Sequence, residues 1–239
     1  MIFPQPAPPR RAFRLPRVVR IILIALALAL IAPYLLAPLY NFGQPVSTLM
    51  LARWAILARV ERSFVPIAEV SPALTLAVVT AEDGRFCEHH GIDWKELSNA
   101  LSEVDDLEDA RGGSTITQQL AKNLFLWGGR SYVRKVLEAP LALWLDLVLP
   151  KRRIVELYLN VVEWGPNGEF GAEAGSRYAF GKSARLVGRQ EAALLVAVLP
   201  NPIRRSARAP GPAVRRLAAI YGSRAAGAPR ADFCVRKGP

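Results

Sequence analysis

Residues 21–39 carry no charged side chain and consist mostly of Ile, Leu and Ala. At about 1.5 Å of rise per residue, such a run approaches the roughly 30 Å of a bilayer's hydrocarbon layer, which predicts a membrane-spanning helix. Pro33 and Pro38 would end or kink a soluble helix, but a membrane helix tolerates them better. Past this run the pattern changes. Apolar positions recur at helical spacing, predicting helices over 71–83, 94–102, 115–126, 133–149, 154–162, 172–180 and 190–199. A short amphipathic helix over 49–59 is expected to lie on the membrane surface. Ser71-Pro72 is a helix start, a capping residue with proline at the first helical position, and Gly84 a stop. No β-branched alternation follows the apolar run, so sheet content should be small. From Pro202 onward Arg, Ala, Gly and Pro predominate; a short helix over 213–221 and then a loose end are expected.

Charge changes the picture at both ends. Arg10, Arg11, Arg14, Arg17 and Arg20 precede the apolar run with no acid among them, which predicts a cytoplasmic N-terminus and export of the remainder. A cleaved signal peptide and a twin-arginine signal are the alternatives; the length of the run and the lack of a small-x-small site favour an uncleaved anchor. The 239 residues, with a net charge of +11, accommodate one ordinary domain beyond the anchor. A basic balance can signal nucleic acid, but an exported chain more plausibly meets lipid headgroups and a phosphate-bearing substrate. Cys87 and Cys234 are the two cysteines; they could pair in an oxidising compartment, but a free buried thiol is the expectation for Cys87.

Four segments carry candidate chemistry. Glu82 stands one turn after Val78, on the buried stripe and at the negative end of its helix. Burial and the dipole both disfavour its ionised form, tuning it toward a general base. Asp83 points about 100° away and cannot share that role. An ion pair between Glu82 and Arg85 is the plainer alternative. Next, Thr115, Gln119 and Lys122 form one polar stripe behind a flexible Gly112-Gly113 entry, and Thr115 with Gln118 has capping-box spacing. Exposed amides, a lysine one turn on and a helix N-terminus make an anion site, unless the stripe is only a solvated face. Third, Arg134, Lys135 and Glu138 share a helix face, with Arg134 placed to neutralise a partly buried Glu138; an ordinary helix salt bridge is the alternative. Pro140 should kink that helix just past Glu138. Fourth, Lys151, Arg152 and Arg153 oppose the dipole of the helix carrying Glu156, Tyr158 and Asn160, and a solvated face is the default reading.

In order and spacing these segments resemble the bacterial peptidoglycan glycosyltransferases, which polymerise lipid II. The resemblance covers roughly 66–205. E-D-x-x-F-x-x-H-x-G is met by Glu82, Asp83, Phe86, His89 and Gly91, and G-G-S-T-I-T-Q-Q-L-x-K-N by Gly112 through Asn123. R-K-x-x-E is met by Arg134, Lys135 and Glu138, and K-x-x-I-L-E-x-Y-L-N by the segment from Lys151 to Asn160, with Val155 for Leu. Tyr178 to Lys182 and Leu199 to Pro202 are further landmarks.

The resemblance implies a mainly α, lysozyme-like domain behind a single N-terminal transmembrane helix, with a mobile flap near 103–113. It implies an inverting transfer with Glu82 as base and Glu138 as the second catalytic glutamate, near the leaving diphosphate. Asp83, Phe86, His89, Gly113, Ser114, Thr115, Gln118, Gln119, Lys122, Arg134 and Lys135 would line the substrate site. No cofactor is obligatory; a divalent cation, Mg or Mn, is compatible with a diphosphate, although adjacent His89 and His90 make no convincing ligand set. Expected partners are lipid II, the growing glycan, the bilayer of the inner membrane and, as candidates, other cell-wall and division proteins, with no nucleic acid. The implied organisation is 1–20 basic cytoplasmic segment, 21–40 transmembrane helix, 41–70 connector, 71–205 glycosyltransferase domain in the periplasm, and 206–239 basic tail. A lysozyme-like hydrolase would need no phosphate site, and a non-catalytic membrane scaffold would leave Glu82 idle. No penicillin-type transpeptidase motif set is present, so a monofunctional enzyme is expected.

Overall fold

A computed structural model describes residues 16–102, 113–129 and 131–236. Helix α1 (Arg17–Leu36) buries none of its residues and runs on through a 3₁₀ turn over Ala37–Asn41. The stretch Arg17–Asn41, 25 residues with a mean hydropathy of 2.5 over its most apolar 18-residue window, forms a helix long and apolar enough to cross a membrane. Pro33 stands inside this helix and Pro38 inside the turn, as the apolar surroundings allow. The base of the helix is bolted to the rest of the chain. Trp144 Nε1 donates to the Tyr34 carbonyl at 3.0 Å, Tyr40 stacks on Phe125 at 5.8 Å, and Asn41 Nδ2 reaches the Val148 carbonyl at 3.0 Å.

The remaining elements are α2 (Thr48–Ala55), β1 (Glu61–Arg62), α3 (Pro72–Glu82), α4 (Trp94–Ser102), α5 (Ile116–Phe125), α6 (Tyr132–Val148) and α7 (Lys151–Val161). They continue with β2 (Glu169–Phe170), α8 (Ala172–Phe180), α9 (Arg189–Val198), α10 (Pro212–Gly227) and α11 (Phe233–Arg236). The architecture is mainly α, as the lack of β alternation predicts. Among the described residues the only sheet is the parallel pair β1–β2, two residues to a strand. Helices α4 and α8 match their predicted limits, while α2 stops short of the expected 59. Helix α3 starts on Ser71, which accepts from Ala73 N–H, and ends at Glu82, before Gly84.

Helix α7 is the central post. Ile154, Val155 and the whole stretch from Leu157 to Val161 are buried, with α5, α6, α8 and α11 packed around them. Because α7 is buried on nearly every side, its polar residues must find partners inside. Asn160 Nδ2 donates to the Val65 carbonyl at 2.9 Å while its Oδ1 accepts from Val65 N–H at 2.9 Å, and Glu156 Oε2 accepts from Ile67 N–H at 2.7 Å. The irregular connector after β1 is thereby stitched to the post.

Three expectations fail here. Lys151, Arg152 and Arg153 do not form a solvated face: each donates to a carbonyl of another segment, of His89 (2.6 Å), Val235 (2.8 Å) and Tyr40 (2.7 Å) respectively. Carbonyls and carboxylates from other segments compensate the cations that the helix dipole would disfavour. Nor is the C-terminal region loose. Helix α10 is 16 residues long and packs on α3 and α9, and Cys87 is not a free thiol but is bonded to Cys234 of α11 across 147 residues of chain. Spacing along the sequence carries no information about such a distant pairing.

Asn160→Ala should leave the Val65 N–H and carbonyl unpaired in a buried site, lowering stability by about 1–3 kcal/mol. Thermal unfolding of the purified protein, compared with wild type, checks this.

Candidate active site

Helix α3 ends and α5 begins at the same place, and this junction sets the site. Asp83, just past α3, is buried; its Oδ2 accepts from the Ile116 N–H, the first of α5, at 3.0 Å. Its Oδ1 lies 2.9 Å from His89 Nε2. A carboxylate at the positive end of α5 satisfies a backbone donor that the helix cannot satisfy itself. Thr115 caps the same turn. Its Oγ1 accepts from Gln118 N–H and donates to the Gly91 carbonyl at 2.6 Å, while Gln118 Oε1 accepts from Thr115 N–H. Gly91, at φ +78°, lies so close to α6 that a Cβ would stand 2.6 Å from the Ala142 carbonyl oxygen. The predicted capping box therefore exists and is pressed into the interior.

Docking α5 this way carries Gln119, one turn on, to Glu82. Gln119 Nε2 donates to Glu82 Oε2 at 2.9 Å, and the buried Tyr158 hydroxyl of α7 donates to Gln119 Oε1 at 3.0 Å. Burial and the charges of Glu82 and Asp83 push the Tyr158 phenol well above its ordinary pKa, so it remains a donor. With Tyr158 occupying the amide oxygen, the amide nitrogen faces Glu82. Burial raises the pKa of Glu82, and Asp83 adds to the rise; the Gln119 hydrogen bond and the charge of Lys122 pull it down. Glu82 keeps partial exposure, so a face remains open to an incoming hydroxyl. Its ion-pair alternative is not what forms: Arg85 instead pairs with Glu88 and Asp93.

Beyond Lys122 stands a further charged group. Glu138 is buried and bonded by Arg134 and by Lys135, whose Nζ is 3.2 Å from Oε2 and 2.7 Å from Ser114 Oγ. Glu138 thus holds two cations rather than the one anticipated from i−4 spacing. Lys122 has no hydrogen-bond or ion-pair partner among the described residues. Burial lowers its pKa, against the pull of Glu138 and Glu82. It sits in the field of both glutamates and links the two halves of the site.

The residues singled out from the sequence therefore fall into two layers. Asp83, Phe86, His89, Thr115 and Gln118 are buried and build the floor. Glu82, Gln119, Lys122, Ser114, Lys135 and Arg134 stand partly exposed above it, with Gly113 (φ +69°) turning the chain into Ser114. Most of the expected flap, 103–112, lies outside the described residues. Tyr158 and Lys151, which the sequence shows only as part of the cation-rich α7 segment, are brought against the site. Lys151 holds the His89 carbonyl, pairs with Asp146 at 2.7 Å and lies 4.5 Å over the Phe86 ring. The signal for it was in plain view: a cation at a helix N-terminus needs a partner elsewhere.

A carboxylate with a raised pKa, joined through Lys122 to cations whose own carboxylate, Glu138, is already paired, is an arrangement suited to displacing an anionic leaving group by an activated hydroxyl. A helical transferase is the class so defined. Comparison with known proteins agrees: the Transglycosylase family model matches residues 47–223. Relatives named biosynthetic peptidoglycan transglycosylase occur in Rhodopseudomonas palustris (strain TIE-1), 62% identical over 219 residues, and Nitrobacter hamburgensis, 58% over 209. These alignments cover 91% and 87% of this chain and 92% of each relative. A third, in Rhizobium meliloti, is 48% identical over 208 residues, or 86% of this chain and 87% of the relative. The chain belongs to the transglycosylase family.

Glu82→Gln should stabilise the fold near neutral pH. Below its ordinary pKa of 4.5 the group is protonated folded or unfolded; above its raised folded pKa, the folded state carries the cost of a buried charge. The gain in melting temperature over wild type should therefore vanish as pH falls to 4.5 and below, which paired pH-dependent melts measure.

Proposed function

We propose that this transglycosylase polymerises lipid II into linear glycan strands for the cell wall, releasing undecaprenyl diphosphate. The observation that carries this reading is Glu82, oriented by the Tyr158–Gln119 relay, with Lys122 in the field of both it and the Arg134–Lys135–Glu138 cluster. Glu82 takes the proton from the 4-hydroxyl of the acceptor sugar. The freed oxygen pair attacks the anomeric carbon of the growing chain from the face opposite the diphosphate. That bond forms as the anomeric C–O bond breaks, with inversion, and the electron pair leaves on the diphosphate. Lys122, Lys135 and Arg134 are the fixed charge that receives it, with Glu138 holding the last two in place.

In this reading the protein's own cations, rather than a divalent metal, meet the diphosphate. Both Glu138 oxygens are engaged by Arg134 and Lys135, and among the described residues no group of three or more His, Cys, Asp or Glu could hold a metal. Every step above runs through side chains.

The apolar helix α1 would keep the enzyme beside a substrate that never leaves the bilayer. The arginines before it support a cytoplasmic N-terminus and a catalytic domain on the outer side of the inner membrane. The Cys87–Cys234 bond supports an oxidising compartment for that domain. Other cell-wall and division proteins are candidate partners there.

Purified full-length protein given lipid II should form glycan, and Glu82→Gln should reduce the rate by about 10²–10⁴-fold, as loss of a general base does. Cleavage of finished glycan without polymer formation would instead establish a hydrolase.

The rate should also fall on the acid side as Glu82 protonates. Because Lys122 lowers the pKa of Glu82, Lys122→Met should move that acid limb of kcat/KM to higher pH. A pH–rate profile of the variant checks the sign.

A further inference from the structure

The segment between Glu82 and α4 contains no helix and is held mainly by its ties to other elements. Asp83 ties its start to α5, and Gly91 packs its far end against α6. Cys87 lies midway between them. Its disulfide partner, Cys234, neighbours Val235, which is fully buried and accepts from Arg152 at 2.8 Å. The preceding residue of α7, Lys151, donates to His89, two positions beyond Cys87. Two consecutive residues of α7 therefore grip both halves of the disulfide-linked pair. The result is a closed ring: Cys87, Cys234, Val235, Arg152, Lys151, His89 and back to Cys87. The disulfide is its one covalent cross-link. Cys234 lies beyond residue 223, where the family match ends.

We propose that the Cys87–Cys234 bond is a clasp that positions the Asp83–His89 loop, so that full transferase activity requires these two thiols to be oxidised. This rests on the polymerase reading above. Forming the clasp transfers two electrons and two protons from the thiols to the disulfide of a thiol–disulfide oxidoreductase, which becomes a dithiol. Both cysteines are only half-buried, and a groove lined by Gly84, Glu88, Pro229 and Phe233 runs beside them, so an exchange partner can approach. Cys87 and Cys234 are positioning residues: neither touches substrate. Their effect reaches Glu82 through Asp83, which sets α5 and hence Gln119.

The test reduces full-length protein with dithiothreitol, verifies both thiols by alkylation and mass, and measures lipid II polymerisation with hydrogen exchange, well below the melting temperature. The expected result is a loss of about tenfold in kcat, of the order a small misplacement of catalytic groups produces, with KM changed less than about twofold. Exchange should quicken in 84–91 while α9 keeps its protection. The Cys87→Ser/Cys234→Ser double variant should match the reduced protein and ignore dithiothreitol. Unchanged kcat and unchanged exchange in verified reduced protein would overturn the clasp. So would exchange rising equally in α9, which marks a purely global stabiliser. If oxidised wild type makes no polymer, the functional reading fails, and the comparison of exchange in 84–91 with α9 still decides whether the clasp positions the loop.

Discussion

The buried carboxylate of Asp83 is the constraint from which the rest of the site follows. It receives the first N–H of α5 and the His89 ring at once, so the end of one helix is locked to the start of another. A charge-assisted bond of this kind is strong and directional, and breaking it would strand two buried donors. Because α5 is clamped at its first residue, its next turn has one place to go. Gln119 meets Glu82 and Lys122 follows on the same stripe. The two adjacent carboxylates thus differ in surroundings: Asp83 is buried against the positive end of α5, and Glu82, partly exposed at the negative end of α3, is the one the proposed mechanism uses.

The electrostatics of the site depend on opposed tendencies that remain unresolved until substrate arrives. Burial pushes Glu82 toward protonation and Lys122 toward neutrality, while each favours the charged form of the other. Glu138 absorbs part of the cationic charge through Arg134 and Lys135, leaving Lys122 without a dedicated anion among the described residues. Preorganised charge with incomplete internal compensation is what a developing diphosphate can use, because no solvent has to reorganise as it departs. The uncompensated burial is a standing cost to stability, which is common where function is built.

Support for this junction comes from far along the chain. Helix α7 supplies Tyr158 to orient the amide and Lys151 to hold the loop, and α11 reaches back through Cys234. The apolar helix α1 belongs to the same body: Tyr34, Tyr40 and Asn41 at its base bond or stack with α6, with Phe125 at the end of α5, and with Arg153 of α7. The position of the active site relative to α1 is therefore set by packing rather than by a flexible tether.

Local physics was legible in the amino-acid sequence. Apolar spacing gave the helices of the domain and the membrane-length run, Ser71-Pro72 the start of α3, Thr115 with Gln118 the capping box, and stripe position the burial of Glu82 and Glu138. These properties depend on residues three or four apart, and a chain carries that information along itself. The partners of buried charges were not legible. A cation-rich start to α7 reads as solvated until carbonyls from residues 40, 89 and 235 are seen to receive it. Asp83 reads as a bystander to Glu82 until α5 arrives, and Cys87 as an isolated thiol until α11 folds back across 147 residues. Only the tertiary structure decides such pairings, because hydrogen bonds, ion pairs and disulfides are fixed by proximity in space, and proximity between distant segments is created by the packing of the core.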